Sequence, residues 1–259
     1  MLVSHEIPKE LFSLSKKFND FPYVLGHLIN LDFEYKEFYK KELKEADFSI
    51  LDNSAFELGK SIDFKELISV TRELNPSHLV LPDTVHNKEE TIKNSLGFLS
   101  EYYLELCMLK VTPIGVVQGN SFEELHDCIK SYIVAGVSFI AIPFDCIKGT
   151  DYGTIRFQFF RYLLDNLGEM TMMQLKFHFL GLQNPQEMLL YSDFEKSFIH
   201  SIDSSSPILH GVIGNRFTKW GTNKVKPTLK LADNLNLKVT GEMLNNIGHN
   251  VQHFKNYIK

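Results

Sequence analysis

The sequence predicts an α/β chain folded as a (β/α)8 TIM-type barrel, and three observations carry that expectation. The chain has 259 residues, close to the ~250 that one such barrel occupies. Short apolar runs alternate with longer amphipathic stretches along its whole length. Capping residues mark the starts of those stretches, so a strand–loop–helix unit repeats, as it does in a parallel sheet.

Seven strands are expected, at Tyr23–Ile29, Phe48–Asp52, His78–Pro82, Pro113–Val117, Phe139–Ile142, Leu175–Leu180 and Phe198–Ile202. Runs such as LVLP and IGVV are apolar throughout, which fits strands buried on both faces. Leu237–Thr240 is the candidate for the eighth. Helices should start at Asp63 with Glu66, Asn87 with Glu90, Ser121 with Glu124, and Asn184 with Glu187. In each pair a side-chain oxygen can accept from a first-turn amide while the acid reaches back. Pro185 follows Asn184, where a missing N–H costs nothing, and Gly136 should end the helix that Ser121 begins. A doubly wound open sheet would share this pattern, but no Gly-rich phosphate loop follows the first strand. The expectation is one domain, 1–259, with a basic C-terminal extension over 210–259.

Composition narrows the class. The hydrophobic fraction is 44% and the charged fraction 23%, ordinary for a globular protein. No apolar run is long enough to cross a bilayer. MLVSHEIPKELF lacks the pattern of a secretory signal, so a cytoplasmic location is expected by default. Three widely spaced cysteines, Cys107, Cys128 and Cys146, read as free thiols rather than a disulfide framework. Net charge is −5, but residues 210–259 carry eight Lys/Arg against Asp233 and Glu242, a net of +6 that leaves −11 on the first 209. An acidic body with a basic end can still bind phosphates on one face; a lysine-rich solvated tail would give the same count.

The polar residues are most informative at the strand ends. Apolar runs there give way to Asp52-Asn53-Ser54, Asp83-Thr84, Gln118-Gly119, Gly181 and Asp203-Ser204. In a barrel these ends converge on one mouth. An Asp after a strand often caps the next helix or makes a turn. Here the caps are already assigned, which leaves Asp52, Asp83, Gln118 and Asp203 without that task. Two carboxylates can divide a substitution at a sugar carbon, one as nucleophile and one handling protons. A third carboxylate and an amide can read a purine edge, and Phe56 could stack on its face or simply pack in the core.

At these residues the chain resembles the guanine transglycosylases, the enzymes that place 7-deazaguanine bases in tRNA and, in shorter relatives often carried by phages, in DNA. ILDNSAFE is similar to the family's DSGGFQ stretch, and LPDTVHNKEETIKNSL to its base-reading aspartate segment. TPIGVVQGNSFEELHDC resembles GIVQGG and its helix, FLGLQNP resembles LMGVGxP, and SIDSSSP matches FDCVxP. The resemblance implies that Asp203 is the nucleophile at C1′ and Asp52 the general acid/base. Asp83 and Gln118 would bind the base, Phe56 and Leu180 would sandwich it, and Gly119 and Gly181 would complete the base site. The reaction implied is a ping-pong exchange of guanine for a 7-deazaguanine such as 7-cyano-7-deazaguanine, with no cofactor.

Departures from the family matter as much. Ser54 and Ala55 replace two glycines. Pro143 and Phe144 replace a glycine pair, and Pro143 has no N–H to offer the base. The arginine after the motif proline is missing, so phosphate contact would fall to Arg216, Lys219, Lys224 or Lys226. The CxCxxC zinc motif of the tRNA enzymes is also missing. His249 and His253 lie one helical turn apart, read as an exposed helical face rather than a metal pair. Short length without the zinc motif favours DNA over tRNA as the polymer. A phage-borne relative would act in host cytoplasm, and the family suggests a homodimer or a partner subunit. The same carboxylates would also serve a base-releasing hydrolase, and a non-catalytic subunit is a further alternative.

Overall fold

Eight parallel strands alternate with helices around a nearly closed barrel. The computed structural model describes residues 1–148, 154–219, 221–222, 227 and 229–258. The strands are β1 (Leu2–Ser4), β2 (Tyr23–Leu25), β3 (Ile50–Asp52), β4 (His78–Val80), β5 (Thr112–Val116), β6 (Phe139–Pro143), β7 (Lys176–Leu180) and β8 (Ile199–Asp203). Their order around the sheet is β1-β8-β7-β6-β5-β4-β3-β2.

The eighth strand is therefore β1, not Leu237–Thr240. The latter segment forms no strand; Leu237 and Val239 pack instead against a second apolar cluster. Three residues, Leu-Val-Ser, are too short a run to show a period by themselves, and β1 exists because β8 supplies its ladder, Leu2 to Ser201 through Ser4 to Asp203. The first run is also shorter than expected: β2 stops at Leu25 and Gly26–Leu31 turns helical. Gly26 allows that turn, since a Cβ there would stand 2.8 Å from the Asp52 carbonyl oxygen.

Side chains close the seam between β1 and β2. Val3 N donates to Asp20 Oδ2 at 3.1 Å, and Asp20 N donates to Val3 O at 2.8 Å. His5 and Asn19 exchange a second reciprocal pair. The expected caps form: Asn87 and Ser121 each accept from the N3 amide, at Glu90 and Glu124, whereas Asp63 and Asn184 accept two residues on, from Lys65 and Gln186. Asn184 starts a 3-10 turn rather than an α-helix. Gly136, at φ 78°, ends the Phe122–Val134 helix.

The two ends of the barrel differ in chemistry. At the amino ends of the strands, the rings of Phe48, His78, Phe139 and His200 meet with centroids 4.6–5.6 Å apart. These come from four different strands or their approaches, so they meet near the axis and plug that end. The carboxyl ends carry Asp52, Pro143, Leu180 and Asp203. The C-terminal helix Gly241–Ile258 packs on Ser206–Val212, and Gly211 permits the contact: a Cβ there would lie 2.6 Å from Ile247 N. The basic extension is thus partly built into the body. Among the described residues, no helix is long and apolar enough to cross a membrane. The three cysteines are free, Cys107 exposed and the others buried.

One buried ion pair braces the mouth. Arg156, fully buried, gives Nε and Nη2 to the two oxygens of Glu187 at 2.7 and 2.9 Å. Its Nη1 donates to the carbonyls of Ile142 and Leu180, at 3.0 and 2.8 Å, tying the ends of β6 and β7 together. Removing one partner strands the other charge in the interior. Arg156→Leu should lower the unfolding free energy by about 3–5 kcal/mol, measured by urea denaturation. The double change with Glu187→Leu should recover much of that loss; if the double change is worse than the single, the buried charge is not the cause.

Candidate active site

The end of β3 is held by its own turn. Ser54 takes a left-handed conformation at φ 65°, the one a glycine would adopt freely. That turns Ser54 N back to donate to Asp52 Oδ1 at 2.6 Å, while its Oγ accepts from His27 N. Asp52 Oδ2 accepts from the Tyr23 hydroxyl at 2.6 Å. Burial, with Asp203 nearby, lifts the Asp52 carboxyl to about 6 despite these donors. Burial also holds the Tyr23 hydroxyl well above 10, so it remains a proton donor.

Asp83 follows β4 and faces two amides. Asn53 Nδ2 donates to its Oδ1 and Gln118 Nε2 to its Oδ2, both at 2.7 Å. Gln118 Oε1 accepts from His86 N at 2.9 Å. A backbone N–H can only donate, so that contact fixes which end of the Gln118 amide faces Asp83. Burial raises the Asp83 carboxyl to about 6 as well, against the pull of the two amides.

Asp203 ends β8. Its Oδ1 accepts from Gly181 N at 2.9 Å and lies 3.2 Å from His178 Nε2. Gly181 reaches it at φ 66°, and a Cβ there would sit 2.9 Å from the Phe144 ring. Asp52, Asp83, Gln118, Leu180, Gly181, Asp203 and Phe56 all line one pocket, with about 890 Å³ of free space including its mouth. Phe56 is 51% exposed at the rim, edge-on to Phe144 at 5.7 Å.

Other expected residues lie elsewhere. Gly119 does not line the pocket; it allows close packing on Glu124, whose Cβ a Gly119 Cβ would meet at 2.8 Å. Arg216 is exposed and donates to Asn246 on the C-terminal helix, and Lys219 is exposed near it; neither lines the pocket. Lys224 and Lys226 lie outside the described residues. The His249 and His253 rings lie tilted with centroids 4.3 Å apart, and His249 Nε2 is bonded to the Phe217 carbonyl.

Sequence reasoning missed several pocket residues. Glu6 was hidden with β1. Tyr23 was only the first residue of an expected strand, and Glu57 only part of the ILDNSAFE stretch. Burial and the neighbouring Asp52 push the Glu57 carboxyl well above its ordinary range. Lys230 comes from the C-terminal extension; its Nζ donates to the Glu57 carbonyl at 3.3 Å and sits 6.0 Å from the Phe56 ring centre. Among the described lining residues it is the one Lys or Arg facing six carboxyl groups, those of Glu6, Asp52, Glu57, Asp83, Asp145 and Asp203.

No family model matches the chain, and no curated protein matches it significantly. The geometry must therefore carry the functional argument.

The raised Asp52 value has a sign that can be measured. Its folded value, about 6, lies above the ordinary 3.8. The stabilisation from this group is complete below pH 3.8 and lost as pH rises through 6. A displacement of that size is worth about 3 kcal/mol at most. Urea unfolding of wild type and Asp52→Asn should show the variant gaining on wild type by about 2–3 kcal/mol between pH 4 and pH 8. A difference that stays flat over that range would mean Asp52 ionises normally.

Proposed function

We propose that this protein is a DNA-guanine transglycosylase that exchanges guanine for a 7-deazaguanine through a covalent intermediate on Asp203. The observation that supports this most is the sharing of one pocket by two kinds of group. Asp52 and Asp203 can carry out substitution at a sugar carbon, and the Asp83–Gln118 pair can read a purine edge.

The chemistry follows from the hydrogen bonds. A nucleotide reaches such a pocket single-stranded or flipped from the duplex. Asp203 Oδ1 is engaged, so Oδ2 attacks C1′. The C1′–N9 bond breaks, and guanine takes its N9 proton from the protonated fraction of Asp52. A carboxyl near 6 is suited to giving and regaining a proton near neutrality. The incoming base returns its N9 proton to Asp52 and attacks C1′, and the Asp203 ester departs as carboxylate. Two inversions give retention.

Asp83 already accepts two amide N–H bonds, yet a carboxylate has about four acceptor sites. The remaining two suit the N1–H and 2-amino group of guanine. Pro143 has no N–H, and Phe144 N already donates to the Leu180 carbonyl at 3.0 Å. Gln118 Nε2 is then the donor for O6. Phe56 and Leu180 offer apolar surface to the ring. Lys230 is the cation placed to meet a phosphate at the rim. Exchange of labelled guanine on each polymer separates DNA from tRNA as the acceptor.

The test is incubation of the purified protein with labelled guanine and, separately, DNA or tRNA. Label should enter DNA, and Asp203→Ala should abolish it. Asp52→Asn should slow exchange by about 10²–10⁴-fold. Label entering tRNA alone would overturn the choice of polymer. Loss of guanine from DNA without uptake of label would make the protein a base hydrolase. No change in either polymer would leave the reading of a catalytic subunit without support.

A further inference from the structure

Two rings lie stacked beneath the paired carboxylates. Tyr23 on β2 and His178 on β7 face each other with centroids 5.8 Å apart and planes 15° apart. Each ring serves one carboxylate. The Tyr23 hydroxyl donates to Asp52 Oδ2 at 2.6 Å, and His178 Nε2 reaches Asp203 Oδ1 at 3.2 Å. The other His178 nitrogen, Nδ1, lies 2.8 Å from Ser201 Oγ. His178 is fully buried.

We propose that His178 is a positioning residue that holds Asp203 by Oδ1, leaves Oδ2 as the attacking atom, and stabilises the carboxylate when it departs from C1′. This rests on the transglycosylase reading of the same pocket. A carboxylate oxygen can only accept, so Nε2 bears the hydrogen that faces Asp203, and Ser201 Oγ meets the other ring nitrogen. Nε2–H and Gly181 N–H then converge on one oxygen of Asp203, which sets the rotamer of the carboxyl group. A packing histidine needs none of this order.

The two donors also weigh unequally on the two halves of the reaction. In the proposed cycle Asp203 attacks and departs as a carboxylate, and hydrogen bonds to a charged acceptor are about twice as strong as those to a neutral one. The ester on C1′ is neutral and gains less from them. Donors at Oδ1 therefore favour release of the ester over its persistence. Taking His178 away should slow the second half-reaction more than the first, and the covalent form should accumulate.

The experiment compares His178→Phe, which keeps a ring against Tyr23 but removes the donor, with His178→Gln, which returns an amide N–H within reach of Asp203. Both are incubated with guanine-containing DNA and labelled guanine, then denatured to count protein covalently joined to DNA. The expected result for the Phe variant is exchange lowered at least about tenfold with a larger covalent fraction than wild type. The Gln variant should return both towards wild type. An unchanged exchange rate, or a covalent fraction that stays level or falls in the Phe variant, overturns the proposal. If wild type itself forms no adduct, the transglycosylase reading fails, and the ring still reports separately. Long-range ¹H–¹⁵N spectra of the free protein should show His178 protonated at Nε2, with that signal shifted by Asp203→Ala. A proton on Nδ1 overturns the assignment whatever the activity.

Discussion

Burying carboxylates is the constraint from which the rest of this mouth follows. Asp52, Asp83 and Asp203 are each at least nine-tenths shielded from water, and a buried charge without donors is expensive. The donors come largely from neighbouring strands. Tyr23 on β2 serves Asp52; Asn53 beyond β3 and Gln118 beyond β5 serve Asp83; His178 within β7 and Gly181 just beyond it serve Asp203. Each carboxylate therefore locks its strand end to the next one. The same bonds that make burial tolerable also aim the oxygens, so stability and geometry have a common cause.

That arrangement explains why the barrel is so unlike at its two ends. The amino end is filled by tilted and edge-on rings, two phenyl and two imidazole, which need few partners. The carboxyl end is ringed by acids that need many. Arg156 and Glu187 stand behind the second region, not in it, and carry the carbonyls of Ile142 and Leu180. A fully paired charge there lends rigidity without adding a cation to the pocket floor. The acids retain their local field, and Asp52 and Asp83 keep carboxyl groups close to neutral pH.

Much of this was legible in the sequence, for physical reasons. Strands buried on both faces leave apolar runs, and seven such runs fell where β2 to β8 lie, within a few residues at their ends. Asp52, Asp83, Gln118 and Asp203 stood out because no helix needed them as caps. β1 left no signal, because three residues cannot show a period and its ladder depends on a strand nearly 200 residues away. Leu237–Thr240 alternates like a strand but is only a loop whose apolar residues touch the second cluster. His178 and Tyr23 were invisible because polar atoms inside an apolar run look like core; only the register of β7 against β8 turns the imidazole toward Asp203. Lys230 was counted among basic tail residues, and nothing local says that the chain returns to the rim.

The seam beside β1 differs in kind from the rest of the wall. Every other neighbouring pair of strands shares a backbone ladder, whereas β1 meets the approach to β2 through Asn19 and Asp20, whose side chains stand in for part of one. A ladder has a fixed span; a side chain can change rotamer and keep its bond over a different distance. The hoop thus has one link built partly from side chains. It lies next to Glu6 and to the Ser4–Asp203 pairing, so any widening of the mouth has a place to happen that leaves the other strand pairings intact.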